Sequence, residues 1–254
     1  MLMQALAFVI NLDRCRERWE LITENLDRIG LEATRISAID KALLQDHPAT
    51  RRLGVGQVAC LQSHCKAMTA FLDTDATAAL ILEDDAEVGD AVPGLIRDIE
   101  WWPEGHGLVK LDSTDHHGVR IWLGRPIGCT PDGRSLRPIK RRHMGAYGYL
   151  IDRDTAEEVV RTWANGFVPI DTLLFHLINS PLARRARPIQ VVPGAIRHRP
   201  LEQVASFAGT GRVRGKQRWK PNRVIRWGRS VGVLGSVATG NAWRMNVHYQ
   251  SRRN

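Results

Sequence analysis

The chain has 254 residues, with 36 Lys and Arg against 27 Asp and Glu, a formal net charge of +9 and 43% hydrophobic residues. That length suits one large domain, or one domain with an appendage, burying roughly 70–75% of its unfolded surface without staples. Cys15, Cys60, Cys65 and Cys129 show no C-x-x-C spacing, which argues against a disulfide framework or a zinc knuckle, and no 18-residue apolar run offers a membrane span.

The charge is uneven. No acidic residue follows Glu202, while eleven Lys or Arg lie between Arg212 and Arg253, leaving 25 basic against 27 acidic residues in the first 202. The expected division is a near-neutral domain over 1–205 and a basic C-terminal tail over 206–254, whose partner is anionic.

The N-terminus resembles the apolar core of a signal peptide but lacks a basic flank and a small-residue cleavage site, so Ala5–Leu12 reads as a first strand. Trp19, Ile22, Leu26 and Ile29 share one face of a helix over 14–29 that Gly30 ends. A short strand over 33–38 precedes a second helix, 56–72, with Val58, Leu61, Cys65, Met68 and Leu72 along one stripe. The apolar run Ala79–Leu82 is a buried strand ending in Glu83, Asp84 and Asp85. A helix over 92–99 and a strand over 108–111 follow; strands separated by helices imply crossovers and a mostly parallel sheet. Beyond Gly118 the pattern turns to hairpin-like additions at 119–123 and 146–151, around the Pro131-Asp132-Gly133 turn. Helices are expected at 154–162 and 171–178, with a final strand at 189–192.

The three carboxylates carry the most chemistry. Crowded at a strand end, where ligands of α/β sheets bind, they repel one another unless a cation or donors compensate. An all-oxygen cluster suits Mg²⁺ or Mn²⁺ and a substrate phosphate. His198, in Ile196-Arg197-His198-Arg199, is either a further metal ligand or part of an anion-facing basic cluster, and Asp115-His116-His117 reads as a solvated loop. Asp171 stands at a helix start, as a cap, a general base or both. Ser63 and His64 point about 100° apart on a helix, so they read as a helix-surface or satisfied core pair or, if functional, as ligand contacts rather than a nucleophile pair. Cys60 and His64 share a helical face, but Cys65 is turned away and no fourth ligand is evident, which disfavours zinc. The run Gly54-Val55-Gly56-Gln57-Val58-Ala59 matches a dinucleotide fingerprint without the strand that should precede it.

Together these segments resemble glycosyltransferase family 25, the lipooligosaccharide-biosynthesis galactosyltransferase group. The resemblance runs through Phe8-Val9-Ile10-Asn11-Leu12-Asp13-Arg14 with Arg18, Cys60-Leu61-Gln62-Ser63-His64, Ala79–Asp85, Gly145-Ala146-Tyr147-Gly148-Tyr149-Leu150-Ile151 and Pro169-Ile170-Asp171. It implies a GT-A-like α/β fold, a divalent cation, a UDP-sugar donor, most often UDP-galactose, and inversion at the anomeric carbon. It also implies donor contacts at Asn11, Arg14, Ser63, His64 and Asp84, a metal site led by Asp85 with Glu83 in support, and Asp171 as base. Gln57, Ala59 and Ala146 depart from the residues usual in the family (Glu, Gly and Thr), which bears on donor preference.

In the tail, basic residues recur from Arg212 to Arg229 with Trp219 and Trp227 among them, and Val224, Trp227, Val231 and Leu234 share a helical face. A basic helix with aromatic anchors suits an anionic membrane surface better than nucleic acid. The expected protein is therefore a cytoplasmic transferase, peripheral on the inner face of the cytoplasmic membrane, that glycosylates a lipid-linked or other surface glycan. The alternatives are a non-catalytic nucleic-acid- or membrane-binding protein on an α/β scaffold, or a sugar nucleotidyltransferase.

Overall fold

Alternating apolar strands and amphipathic helices build a three-layer α/β unit in the computed structural model, which describes residues 4–44, 48–114, 120–163, 168–199 and 242–251. The central sheet has eight strands. Their order is β2 (Thr34–Ser37), β1 (Ala5–Asn11), β3 (Ala78–Glu83), β9 (Gly148–Asp152), β5 (Leu108–Lys110), β10 (Ile189–Val192), β8 (Ser135–Pro138) and β7 (Gly128–Cys129). Pairings β1–β2, β1–β3 and β5–β10 are parallel; β9 and β8 run against their neighbours. Six strands therefore share one direction, and the mostly parallel α/β expectation holds.

Both faces of the sheet are covered, which is why its central strands are apolar on both sides. Phe8, Ile10, Ala79, Ile81, Tyr149 and Ile151 face one core with α2 (Val55–Leu72), α4 (Arg153–Trp163), α5 (Ile170–Phe175) and α6 (Pro181–Ala186). Ala7, Val9, Leu80, Leu82 and Leu150 face the other, with α1 (Arg16–Ile29) and α3 (Val92–Arg97). Leu80, Ile81 and Leu82 are fully buried, each contributing about 1.5–3 kcal/mol relative to exposure. Gly30 ends α1 at φ 66°, a left-handed conformation that a residue without Cβ adopts freely. The Gly54–Ala59 run opens α2 after a short 3₁₀ turn, not a strand, as its reading against a dinucleotide site requires.

Two short sheets complete the unit. Strand β11 (Ile196–His198) pairs antiparallel with β4 (Ala86–Val88), so the residues after β10 return to the end of β3. Gly148 permits this: a Cβ there would lie 2.6 Å from Ile196 Cδ1, and Ile196 is fully buried. The second sheet joins β12 (Ala242–Met245) to β6 (Ile121–Gly124). Beyond it, Thr114 N–H donates to Val247 O at 2.8 Å, Val247 N–H donates to Thr114 Oγ1 at 2.8 Å, and Gly194 N–H donates to His248 O at 2.7 Å. Residues 242–251, assigned to the tail by their place after the basic run, are thus packed on the domain, with Ala242 and Val247 buried. The strand is four residues long and half exposed, so it carries too little periodicity to read. Residues 200–241, with the expected basic helix, lie outside the described residues. Among the described residues no helix is long and apolar enough to cross a membrane.

Candidate functional site

Strand alternation distributes the three carboxylates. Odd residues of β3 face α2 and even residues face α1. Glu83, the last residue of β3, accordingly meets α2, while Asp84 and Asp85 both lie in the turn to β4, Asp84 continuing the alternation toward α1.

On the α1 side, Arg18 Nη2 pairs with Asp84 Oδ1 and, at 2.8 Å, with Asp85 Oδ2. Asn11 Nδ2 donates to Asp84 Oδ2 at 2.7 Å and to Cys15 O at 3.1 Å, and its own oxygen accepts from Arg35. Burial pushes the Asp84 carboxyl up to about 6, against the opposing pull of Arg18. Asp85 Oδ2 also meets His198 Nε2 at 3.3 Å, with β11 supplying the histidine. Burial works to raise Asp85, but the His198 hydrogen bond and the charges of Arg18 and His198 outweigh it and hold the carboxyl below its usual range. For His198, burial lowers the pKa and Asp85 more than offsets it, leaving the imidazole raised.

This corner fits a divalent cation. Asp85 Oδ1 is buried and has no hydrogen-bond partner. His198 Nδ1 lies 2.8 Å from Arg199 O, an acceptor only, so Nδ1 carries a proton; Nε2 donates to Asp85 while the ring is charged, and on losing that proton it would offer its lone pair to a cation beside Asp85.

On the α2 side, Glu83 Oε1 lies 3.2 Å from His64 Nε2, and His64 Nδ1 lies 2.8 Å from the Tyr149 hydroxyl. Cys60, one turn before His64, faces the same point. Burial, then the charges of Glu83, Asp171 and Asp85, push its thiol well above the ordinary value.

Asp171, second residue of α5, accepts from Thr172 N–H at 2.6 Å through Oδ1 and from Gly145 N–H at 3.3 Å through Oδ2. Gly145 turns at φ 76° and directs its carbonyl to Lys110 Nζ at 2.7 Å. Lys110, wholly buried, also bonds Asp112 Oδ2 at 2.6 Å and lies 4.6 Å from the Phe175 ring centroid. Burial lowers Lys110 and raises Asp112 to about 6, so desolvation outweighs their attraction in both. The charges of Asp171 and Glu83 both reach Lys110.

The sequence profile of glycosyltransferase family 25 (LPS biosynthesis protein) matches residues 4–174, a span holding β1, the acidic strand end and Asp171. The chain belongs to glycosyltransferase family 25. It is 24% identical over 139 residues to the lipooligosaccharide biosynthesis protein lic2B of Haemophilus influenzae, a match covering 50% of each chain. The chain thus spans about half the length of that curated relative. Among solved structures it is similar to a glycosyltransferase involved in glycosylating the major capsid of PBCV-1, with a TM-score of 0.39 at 11% identity, covering 91% of this chain and 99% of that one. It is also similar to the inositol-1-phosphate CTP transferase of T. maritima, with a TM-score of 0.44 at 9% identity, covering 94% and 98%.

The family 25 fold brings most of the expected residues to one end of the sheet, in distinct roles. Asp84, Asp85 and His198 meet; Glu83 and His64 form a separate pair. Asn11, 1% exposed with its amide engaged on every side, orients Asp84. Ser63, 2% exposed, donates to Ala59 O and accepts from Ile39 N–H, fastening α2 to the loop after β2. Arg14 pairs with Asp40 at the rim. Cys65 is buried in the core, turned away from Cys60 and His64 as helical spacing requires. Gln57 Oε1 accepts from Gly54 N–H at 3.3 Å, capping α2 without the carboxylate usual in the family. Ala146 is buried. Asp115, His116 and His117 lie outside the described residues. The sequence reading assigned no role to Arg18, Lys110, Asp112 or Tyr149. A charge within the apolar run Leu108-Val109-Lys110-Leu111 was the available signal for Lys110.

Proposed function

We propose that this protein transfers a sugar, galactose as first choice, from a UDP-sugar to a hydroxyl of a lipopolysaccharide-type glycan, with inversion and with Mn²⁺ or Mg²⁺ held by Asp85 and His198. The observation that carries this reading is the meeting of Asp85 and His198 beyond the end of β3, in a chain of family 25. Family membership favours it over a sugar nucleotidyltransferase or a scaffold without chemistry.

When bound, the cation supplies positive charge against the diphosphate that departs as the sugar–phosphate bond breaks. Asp84, held by Asn11 and Arg18, is the carboxylate this reading assigns to the donor. Asp171, oriented by the amides of Gly145 and Thr172, takes the proton of the acceptor hydroxyl, whose oxygen bonds the anomeric carbon on the face opposite the leaving group. Such a base is worth about 10²–10⁴ in rate, and alignment of the two substrates contributes more. No covalent enzyme intermediate is needed. Glu83, expected as a further metal ligand, is engaged by His64, so the reading rests on Asp85 and His198. The basic stretch Arg212–Arg229 sets the protein against an anionic leaflet, beside a lipid-linked acceptor.

The deciding experiment is a transfer assay with a panel of UDP-sugars and a lipopolysaccharide-derived oligosaccharide, with and without Mn²⁺, the product's anomeric configuration being read by NMR. Metal-dependent transfer with inversion supports the reading. Transfer undiminished in EDTA, or a retained anomeric centre, overturns it.

A further inference from the structure

A second group of potential metal ligands lies on the α2 side of the same strand end, sharing no ligand with Asp85 and His198 but within reach of their charges. Cys60 and His64 lie four residues apart on α2, hence on one face, and Glu83 reaches them from the end of β3. One ligand atom from each, a sulfur, a ring nitrogen and a carboxylate oxygen, lies within 4.8 Å of the other two. All three sit on regular elements, with α2 packed against β1 and β3.

The histidine is held as metal-binding histidines are. His64 is 1% exposed, its ring stacks on Tyr149 at 5.8 Å between centroids, and its Nδ1 meets the Tyr149 hydroxyl at 2.8 Å, which aims Nε2 at Glu83. The Tyr149 hydroxyl donates or accepts, so it serves the ring now, with Nε2–H toward Glu83, and equally when Nε2 gives its lone pair to a metal and Nδ1 carries the proton. An orienting partner on the second nitrogen is the usual support of a histidine ligand.

We infer that Cys60, His64 and Glu83 form a transition-metal site of the zinc class, distinct from the nucleotide-associated cation site. A set of thiolate, imidazole and carboxylate selects Zn²⁺ or Co²⁺ over Mg²⁺, whose preference is for oxygen. As the metal–sulfur bond forms, the S–H proton of Cys60 passes to solvent. Three protein ligands leave a fourth tetrahedral position for water or a substrate oxygen. The zinc reading set aside on sequence had Cys65 turned away and no fourth ligand; the strand end, nineteen positions after His64, supplies Glu83 in the place of Cys65. This inference does not depend on the transfer reaction.

The test is a Co²⁺ titration of the metal-stripped full chain, followed by absorption. The expected result is a thiolate-to-cobalt charge-transfer band in the near ultraviolet that saturates at one equivalent, is bleached by Zn²⁺ and is untouched by Mg²⁺. Cys60→Ser should abolish the band and Cys65→Ser should retain it. Glu83→Gln should weaken binding at least about tenfold, the smallest loss expected even for an orienting partner. Asp85→Asn should leave the band intact, which separates this site from the proposed catalytic cation. Circular dichroism melting confirms that each variant is folded, and Glu83→Gln tests the site without touching a cysteine. Absence of the band in wild type, or its persistence in folded Cys60→Ser, overturns the inference.

Discussion

Nε2 of His198 lies 3.3 Å from Oδ2 of Asp85, although the two are 113 positions apart in sequence, because β11 pairs with β4 immediately after the acidic turn. If this contact marks the cation site, UDP binding requires a divalent ion and both residues. Calorimetry should show Asp85→Asn and His198→Ala each weakening Mn²⁺-dependent UDP binding at least about tenfold. Equal affinities with EDTA present would refute the assignment.

Asp171→Asn should lower turnover at least about a hundredfold while donor affinity changes little, since a base acts in the transition state. Its Thr172 contact persists in the amide, which keeps the start of α5 intact. Lost donor affinity at unchanged kcat would reassign the residue to donor binding. A large fall in Tm would make it a cap.

The Lys110–Asp112 pair sets a pH dependence opposite to that of an exposed carboxylate. The folded pKa of Asp112, about 6, lies above the unfolded value of 3.8, so between about pH 3.8 and 6 the folded state holds a proton that the unfolded chain has released. The stabilising contribution is present at pH 4 and is lost as pH rises through 6, by at most about 3 kcal/mol. Urea unfolding should therefore show the stability of wild type relative to Asp112→Asn falling between pH 4.5 and 7. A rise would show that the attraction of Lys110 outweighs burial.

Gly148→Ala should destabilise the fold by about 1–3 kcal/mol, because its Cβ meets buried Ile196 on the strand that carries His198. Denaturant titration measures the loss. If β11 is displaced, Mn²⁺ affinity falls by more than the stability loss accounts for; an unchanged stability would mean that Ile196 repacks freely.

Deleting residues 212–254 is a poor test of membrane attachment, since it removes β12 and buried Val247. Replacing Arg212, Arg214, Lys216 and Arg218 with Gln leaves those residues in place. That variant should float less well with anionic vesicles. Wild-type flotation should weaken as the screening length falls from about 10 Å at 0.1 M salt to about 3 Å at 1 M. Undiminished flotation of the variant would exclude this stretch as the anchor.

Most elements were legible because their signals are local. The apolar run before Glu83 announced β3, Gly30 announced the end of α1, and Ile189–Val192 is observed as expected. The acidic triplet was also evident, but reading its carboxylates as one cluster overlooked strand alternation, which turns Glu83 toward α2 and Asp84 toward α1. Short α6, β11 and β12 escaped because six, three and four residues carry no measurable periodicity. The joining of Lys110 to Asp171 through the Gly145 peptide is a tertiary relation that no spacing reveals.

Arg18 gives the acidic corner a built-in counter-charge. By bridging Asp84 and Asp85, the guanidinium cancels much of the repulsion that would otherwise spread them, and it leaves Asp85 Oδ1 without a partner. The carboxylates therefore keep their places whether the divalent ion is present or not. On the proposed metal-dependent reading, ion exchange at this corner would cost little reorganisation, and loss of the ion would stop transfer without loosening the scaffold.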